Sequence, residues 1–189
     1  MFNLKSIELR NFFSYEHTVV DFTKSGLYLI SGHSDLGGDS NGSGKSAILS
    51  AICFALFGRT TTGLSTKDVK RWNSKESMSV SLSLSSTERN TYRITRRDSG
   101  VSFYINDKKI EGNQRDLQSS IDTTFNTNYS LFIRSTLFSQ SQAEFFGSAG
   151  DADKKRLFKS ILGLDRIDWA YVKVKVAYDS ISSKLDDIN

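Results

Sequence analysis

Hydrophobic and polar residues alternate in five short runs of the chain, which is the pattern of strands that bury one face. The runs are residues 4–10, 18–22, 79–84, 91–96 and 101–105. Residues 91–96 follow the third run closely enough to be its hairpin partner, and Asn106-Asp107 marks a turn after the last run. Residues 11–15 break the first run and are predicted as a loop. These runs therefore predict strands, with 18–22 returning beside 4–10 and 91–96 forming a hairpin with 79–84.

Apolar residues recur every three or four positions in other parts of the chain, which indicates helices. Residues 47–57 have this spacing, and Gly58 directly after them suits a helix C-cap. Residues 114–125 are predicted as an amphipathic helix. Residues 67–72 are predicted as a single helical turn, and residues 129–138 as a further, more apolar segment.

The last part of the chain has the pattern of long helices. A helix is predicted to begin at Asp151, with acidic residues in its first turn. Later apolar residues alternate at intervals of four and three: Ile167, Tyr171, Val174, Tyr178, Ile181, Leu185 and Ile188. Three such heptads are typical of a coiled coil, although an amphipathic helix packed on its own domain gives the same pattern. We expect a globular domain over residues 1–165, called the head below, and the beginning of a coiled coil over residues 166–189. The heptad pattern is still running at Asn189. We therefore expect it either to continue in the encoded protein or to end here because this chain is one half of a split protein.

A glycine-rich segment between a predicted strand and a predicted helix has the chemistry of a phosphate site. Asn41 to Ser46 reads N-G-S-G-K-S, after the apolar run 26–32, which suits a buried strand. In such a loop the backbone N–H groups and the helix N-terminus bind phosphate. Lys45 is then expected to reach the β- and γ-phosphates, and the Ser46 hydroxyl to bind Mg²⁺. The competing interpretation is a Gly/Ser loop before an ordinary helix.

The first glycine of the usual motif G-x-x-x-x-G-K-[ST] is displaced in this chain. Its position is occupied by Asp39, so the candidates are Gly38 and Gly32. Eleven residues (33 to 43) separate Gly32 from Gly44, which leaves about seven more than the motif needs. We expect residues 33–40, rich in Gly, Ser and Asp, to form a dispensable excursion.

Length and composition set broad limits. The 189 residues and net charge of +4 favour one globular domain and permit a nucleic-acid partner without requiring one. The single cysteine, Cys53, excludes an intrachain disulfide and is interpreted as a core residue. Without a signal-peptide pattern or an apolar run long enough to cross a bilayer, the protein is expected to be cytosolic, with no membrane partner.

Seven segments of the chain occur in the order found in one known family. They are Leu9-Arg10-Asn11-Phe12, Asn41 to Ser46, Ala55 to Arg59, Asp68 to Trp72, Tyr92 to Arg97, Leu137 to Gln140, and residues 155–163. Together they resemble the N-terminal ATPase lobe of SbcC, the coiled-coil subunit of a double-strand-break repair nuclease. The resemblance implies an α/β fold: the N-terminal lobe of an ABC-type P-loop ATPase head, with an antiparallel side sheet and the start of a coiled coil. The short chain resembles a phage-encoded version, which acts in the host cytoplasm.

The resemblance also implies a site for ATP and Mg²⁺. The implied nucleotide-binding residues are Arg10, Asn11, Asn41, Gly42, Ser43, Gly44, Lys45, Ser46, Ala47 and Lys67. Lys45 and the Q-loop residue Gln140 are implied as catalytic, and Ser46 and Gln140 as Mg²⁺ ligands. A neutral amide suits the Gln140 position because it accepts from a metal-bound water and donates to the attacking water or the γ-phosphate. Gln142 is the competing candidate.

Two parts of a complete ATPase site are missing from the sequence. No hydrophobic run ends in Asp-Glu, and no S-G-G-x signature is present. The resemblance implies that both lie in a C-terminal lobe of the same protein, so this chain alone is expected to be inactive. The other implied partners are a second ATPase head in a homodimer, an SbcD-type nuclease and double-stranded DNA. The expected function is to couple ATP-driven head engagement to the processing of DNA ends.

Other interpretations of the chain stay open at this point. Two groups of basic residues suit DNA phosphates or simply solvated faces: Lys67, Lys70, Arg71 and Lys75, and Arg93, Arg96, Arg97, Lys108 and Lys109. The leading alternative function is an SMC- or RecN-like DNA tether without a nuclease. A small P-loop kinase is a third, against which the terminal heptads argue.

Overall fold

The architecture comes from a computed structural model, which describes residues 2–22, 24, 26–33, 42–137, 150–162 and 164–186. The chain divides into two compact units, residues 1–129 and residues 130–189. The first unit holds the sheet and the phosphate loop, and the second is helical in its described parts. The predicted boundary between head and coil after residue 165 stays a prediction.

The first unit is built on one antiparallel sheet. Its strands are β1 (Phe2–Phe12), β2 (Tyr15–Asp21), β3 (Ser79–Ser86), β4 (Thr91–Arg97), β5 (Gly100–Ile105) and β6 (Lys108–Lys109). Their order in the sheet is β2-β1-β3-β4-β5-β6, and every neighbouring pair is antiparallel. The predicted sheet is therefore confirmed. The predicted loop 11–15 is shorter than expected, because β1 continues through Phe12 and β2 begins at Tyr15.

Among the described residues of the first unit, the helices that pack on this sheet lie on one of its faces. The helices are α1 (Lys45–Phe57), α2 (Thr66–Val69) and α3 (Gln114–Phe125), of which α1 packs on β1, β3 and β4, and α3 on β5. Alternate strand residues meet them: Ile7, Leu9, Val80, Leu82, Ile94 and Phe103 are fully buried. Burial of an apolar side chain is worth roughly 1.5–3 kcal/mol, so the alternating pattern decides which face the helices cover. Cys53 of α1 lies in this core, and burial raises the pKa of its thiol to about 12.

The predicted strand at 26–32 is wrong for the chain as described. Residues 27–33 lie outside helix and strand, and Leu27 and Leu29 are almost completely exposed. A strand is stabilised by neighbours that bond its N–H and C=O groups. Among the described residues, the sheet supplies no such neighbour to this segment. An apolar run alone therefore did not produce a strand.

The second unit contains helices α5 (Asp151–Ile161) and α6 (Asp165–Asp186), and most of α4 (Tyr129–Ser135). The side chains of Ile167, Tyr171, Val174, Tyr178 and Ile181, which form the heptad seam on α6, are each 60–69% exposed. Within the described ranges, no helix combines the length and apolar content needed to cross a bilayer.

A half-buried arginine ties the end of α1 to the sheet. Arg96 of β4 donates from Nε to the Ala55 carbonyl and from its terminal nitrogen to the Leu56 carbonyl, each at 3.0 Å. It also donates to Gln118 of α3, whose amide bonds Leu56 as well. The last carbonyls of a helix lack partners within it, and a cation there also complements the helix dipole. Arg96 therefore stabilises the packing of α1 on the sheet. Burial lowers the pKa of its guanidinium to about 10.

Replacing Arg96 by methionine is expected to lower the free energy of unfolding by about 3 kcal/mol, since buried carbonyls lose a charged donor. Urea denaturation measures the loss. The matched control is Arg97→Met on the exposed neighbouring position, which is expected to change stability by less than about 0.5 kcal/mol. Equal losses in the two variants would contradict the role given to Arg96.

Candidate nucleotide-binding site

The phosphate loop leads directly into α1. Gly42 and Gly44 have φ angles of +83° and +85°, a left-handed conformation that side chains disfavour. Gly44 is the N-cap of α1, and no acidic residue lies in the first helical turn. The positive dipole end of the helix therefore meets no acidic side chain from that turn. This is the electrostatic setting in which helix N-termini bind phosphate.

Gly32 lies against the same loop. The Lys45 ammonium is 3.1 Å from the Ser43 hydroxyl. A Cβ added at Gly32 would lie 1.9 Å from that hydroxyl and 3.1 Å from the Lys45 nitrogen. A residue with a side chain at position 32 would thus displace Ser43. The structure brings Gly32, Ser43 and Lys45 together across the long insertion, as the first glycine of a phosphate loop requires. Its rival, Gly38, lies outside the described residues.

Tyr15 is a neighbour of the loop that the sequence did not reveal. Its hydroxyl donates to the Gly44 carbonyl at 3.2 Å. A Cβ at Gly44 would lie 2.9 Å from the same hydroxyl oxygen, so the phenol packs directly on this glycine. The two residues are 29 positions apart, and no motif or spacing connects them.

Two predicted nucleotide-binding residues have other partners in the structure. The Arg10 guanidinium pairs with Glu8 at 2.7 Å. This hydrogen bond holds the pKa of the Glu8 carboxyl below its usual value, and a bond to His17 acts in the same direction. The Asn11 side chain is buried, and its amide donates to the Ser77 carbonyl at 3.3 Å. The Arg10–Glu8 pair lies within β1, and the Asn11 bond joins β1 to the segment before β3, so neither contact involves the glycine loop.

The remaining predicted residues fall into two groups. Ser46 and Ala47 lie in the first turn of α1, where the Ala47 N–H donates to the Gly44 carbonyl at 2.9 Å. Lys67 is exposed on α2, beside Asp68, whose pKa is lowered by its hydrogen bonds to Ser65. Asn41, Gln140 and Gln142 lie outside the described residues, as does most of the 33–40 excursion, so their predicted roles stay predictions.

The fold and the loop define a P-loop nucleotide-binding domain, in which a glycine-rich turn opens a helix packed on a sheet. Residues 6–185 match the family described as "AAA domain", and the chain belongs to that family.

The similar proteins agree with this assignment. The chain is 28% identical to the "DNA double-strand break repair Rad50 ATPase" of Thermoplasma volcanium over 97% of this chain, and 28% identical to that of Methanocaldococcus jannaschii over 98%. The chain spans about a fifth of the length of these relatives: 20% and 18%. "Structural maintenance of chromosomes protein 6" of Saccharomyces cerevisiae is 33% identical over 63% of the chain and 12% of its own length.

A solved structure confirms the fold. It is "Structure of the recombination mediator protein RecF-ATP in RecFOR pathway", with a TM-score of 0.53 and 19% identity, over 84% of this chain and 37% of that one. The Rad50 relatives confirm the predicted resemblance to an N-terminal region of the Rad50/SbcC type. The solved structure supports the fold alone, a P-loop lobe with an antiparallel sheet.

Proposed function

We propose that this chain is the ATP-binding half of a DNA double-strand-break repair ATPase of the Rad50/SbcC type. The observation that carries the proposal is the cradle formed by Gly32, Ser43 and Lys45 at the N-terminus of α1. The cradle has cationic and N–H donors and no acid in the first helical turn. A polyphosphate is the ligand whose charge and size suit such a site.

The residues present fit Mg-ATP. Gly42 to Ser46 would surround the phosphates with backbone N–H groups, and Lys45 would neutralise charge on the β- and γ-phosphates. The Ser46 hydroxyl, exposed in the first turn, would be a ligand of Mg²⁺, which when bound draws charge from the phosphate oxygens. Gln140 is proposed as the second ligand and as the residue that positions the attacking water.

A complete site needs a second lobe, and two exposed apolar features of the chain suit one. Leu27 and Leu29 lie on a segment that precedes the phosphate loop and has no strand partner among the described residues. The α6 seam exposes apolar side chains at heptad spacing. We propose that a C-terminal lobe of the same protein adds a strand beside 26–32 and an antiparallel helix on α6. That lobe would supply the acid and the signature motif.

The proposed whole is a dimer of such heads. ATP bound between two heads would draw them together, because each phosphate loop would face the signature motif of the other head. The motion would pass through the coil to an SbcD-type nuclease and to DNA ends.

The SMC-like alternative, an ATP-dependent DNA tether without a nuclease, is supported by the similarity to the yeast chromosome-maintenance protein. Co-purification of the full-length protein with a nuclease subunit distinguishes the two, since the tether predicts none.

Calorimetric titration of residues 1–189 with Mg-ATP tests the binding function. We expect saturable binding at one site per chain, competed by ADP. Absence of saturable binding by the folded chain would contradict the proposal.

We propose that duplex DNA binds the face of the sheet opposite α1 and α3. In register across β3 to β6 lie Ser83, Arg93, Tyr104 and Lys109, and Arg97 lies four residues further along β4 on the same face. Arg93 stacks over the Tyr104 ring at 4.6 Å. Hydroxyls with exposed arginines and lysines are typical of sequence-independent phosphate contacts. Arg96 does not belong to this surface, because its guanidinium bonds α1 on the opposite face.

Replacing both Arg93 and Arg97 by glutamine is expected to weaken binding of a short duplex and to reduce the slope of log K against log salt by about two, since each lost phosphate contact contributes roughly 0.9. Fluorescence polarisation over a salt series measures both effects. Lys155→Gln with Lys159→Gln on α5 removes the same charge elsewhere and is the matched control. If the control lowers the slope as much as the arginine pair does, net charge rather than this face governs binding.

A further inference from the structure

The peptide group between Gly44 and Lys45 is held from one side by two donors. The Gly44 carbonyl accepts from the Tyr15 hydroxyl at 3.2 Å and from the Ala47 N–H at 2.9 Å. The second bond belongs to the helix itself. The bond from Tyr15 comes from the β1–β2 hairpin, 29 residues earlier in the chain. Tyr15 is therefore an external restraint on the orientation of this one peptide.

The orientation of that peptide determines where a phosphate donor points. In a trans peptide the C=O and the following N–H point in opposite directions. When Tyr15 holds the Gly44 carbonyl, the Lys45 N–H is directed to the other side. Gly44 has a φ of +85°, and glycine rotates more freely than any other residue. A restraint at this position therefore removes freedom that the loop would otherwise lose on binding phosphate.

The hairpin that carries Tyr15 is itself fixed. Tyr15 pairs with Phe12 in the β1–β2 register. Phe12 is fully buried and its ring lies 5.5 Å from that of Phe54 in α1. The Phe13 N–H donates to the Val69 carbonyl at 2.8 Å. The hairpin turn is thus attached to α1 and to α2, so the phenol is presented to Gly44 from a rigid support.

We propose that Tyr15 is a positioning residue for nucleotide binding: its hydroxyl orients the Gly44–Lys45 peptide so that the Lys45 N–H faces the phosphates. This inference rests on the proposed ATP-binding function and adds a residue outside the phosphate-loop motif. Tyr15 touches no phosphate in this account, and acts only through Gly44.

The chain offers a matched control for the test. Tyr129 also donates its hydroxyl to a backbone carbonyl, that of Thr60 at 2.9 Å, and it is likewise partly buried. Tyr15→Phe and Tyr129→Phe each delete one hydroxyl and one such hydrogen bond. Both are expected to lower the melting temperature slightly and by similar amounts. Only Tyr15→Phe is expected to weaken binding of Mg-ATP and of Mg-tripolyphosphate, each by about two- to ten-fold, the equivalent of one hydrogen bond.

A second measurement needs no nucleotide. In ¹⁵N–¹H spectra of the free chain, Tyr15→Phe is expected to shift the Lys45 amide resonance, and Tyr129→Phe to leave it in place. Unchanged affinity in Tyr15→Phe, or equal losses in the two variants, would overturn the proposal. So would an unmoved Lys45 amide. If wild-type chain binds no polyphosphate, the proposed function fails, and the Lys45 amide alone decides whether Tyr15 orients the loop.

Discussion

Lys45→Ala is expected to weaken binding of Mg-ATP by at least about 100-fold while the fold stays intact. The Lys45 ammonium lies beside Ser43 and Gly32, at the helix end where phosphate charge would collect. A charge-assisted hydrogen bond contributes about 1.5–3 kcal/mol. A unit charge about 4 Å from another contributes roughly 4 kcal/mol at the effective dielectric near a protein surface. Losing even about 3 kcal/mol of this attraction corresponds to more than 100-fold in affinity.

Calorimetry on the variant and the wild type measures this loss. Circular dichroism checks that both are folded, as expected from a lysine-to-alanine change at a half-exposed helix position. Lys5→Ala removes the same charge from an exposed position on β1 and is expected to keep affinity within about two-fold, since exposed charges are largely screened. Equal affinity of Lys45→Ala and wild type would show that nucleotide, if bound, is held elsewhere.

Residues 1–189 alone are expected to hydrolyse ATP at a rate close to background, and addition of the C-terminal lobe is expected to raise turnover by at least about 100-fold. Hydrolysis needs a positioned water and charge stabilisation on the far side of the γ-phosphate, besides a phosphate clamp. The sequence supplies Lys45 and Ser46 but no Asp-Glu after a hydrophobic run and no signature motif. Removal of single groups from preorganised sites commonly costs about 100-fold or more in rate.

Steady-state phosphate release, from the chain alone and from the chain fused to the lobe, measures the difference. A fusion in which the Asp-Glu of the added lobe is changed to Asn-Gln is the control for contaminating phosphatases. Burial of the α6 seam, followed by reduced self-association of the chain, is expected in the fusion as well. Comparable turnover by residues 1–189 alone would mean that the site is already complete and that no second lobe is needed.

Local patterns predicted the parts of the fold whose stabilising contacts lie nearby in sequence. Helix α3 has the predicted bounds, 114–125, because its apolar spacing and its Asn113 cap are both local. The β3–β4 hairpin was predicted for the same reason. The prediction of a strand at 26–32 was wrong, because a strand needs a neighbouring strand to bond its backbone. Among the described residues, no strand of the sheet lies next to this segment.

The site was only partly predictable. The loop glycines and Lys45 follow a spacing that phosphate binding imposes, so the sequence alone predicted a phosphate site at Asn41 to Ser46. Tyr15 and Arg96 act through backbone carbonyls 29 and 41 residues away. Every residue has a backbone carbonyl, so a hydrogen bond from a side chain to a distant carbonyl leaves no pattern in a single sequence. Arg96 was grouped with the surface cations because the alternation of β4 does not distinguish a buried guanidinium from an exposed one.

The central claim is that the glycine loop at the start of α1 binds nucleotide, and an NMR titration of the isotope-labelled chain with Mg-ATP tests it most directly. The account predicts that amide resonances of Gly32 and of Gly42 to Ala47 shift with one common saturation curve, while those of β4 and β5 stay in place. Saturable shifts that avoid the loop, or no saturable shifts in a folded chain, would contradict it.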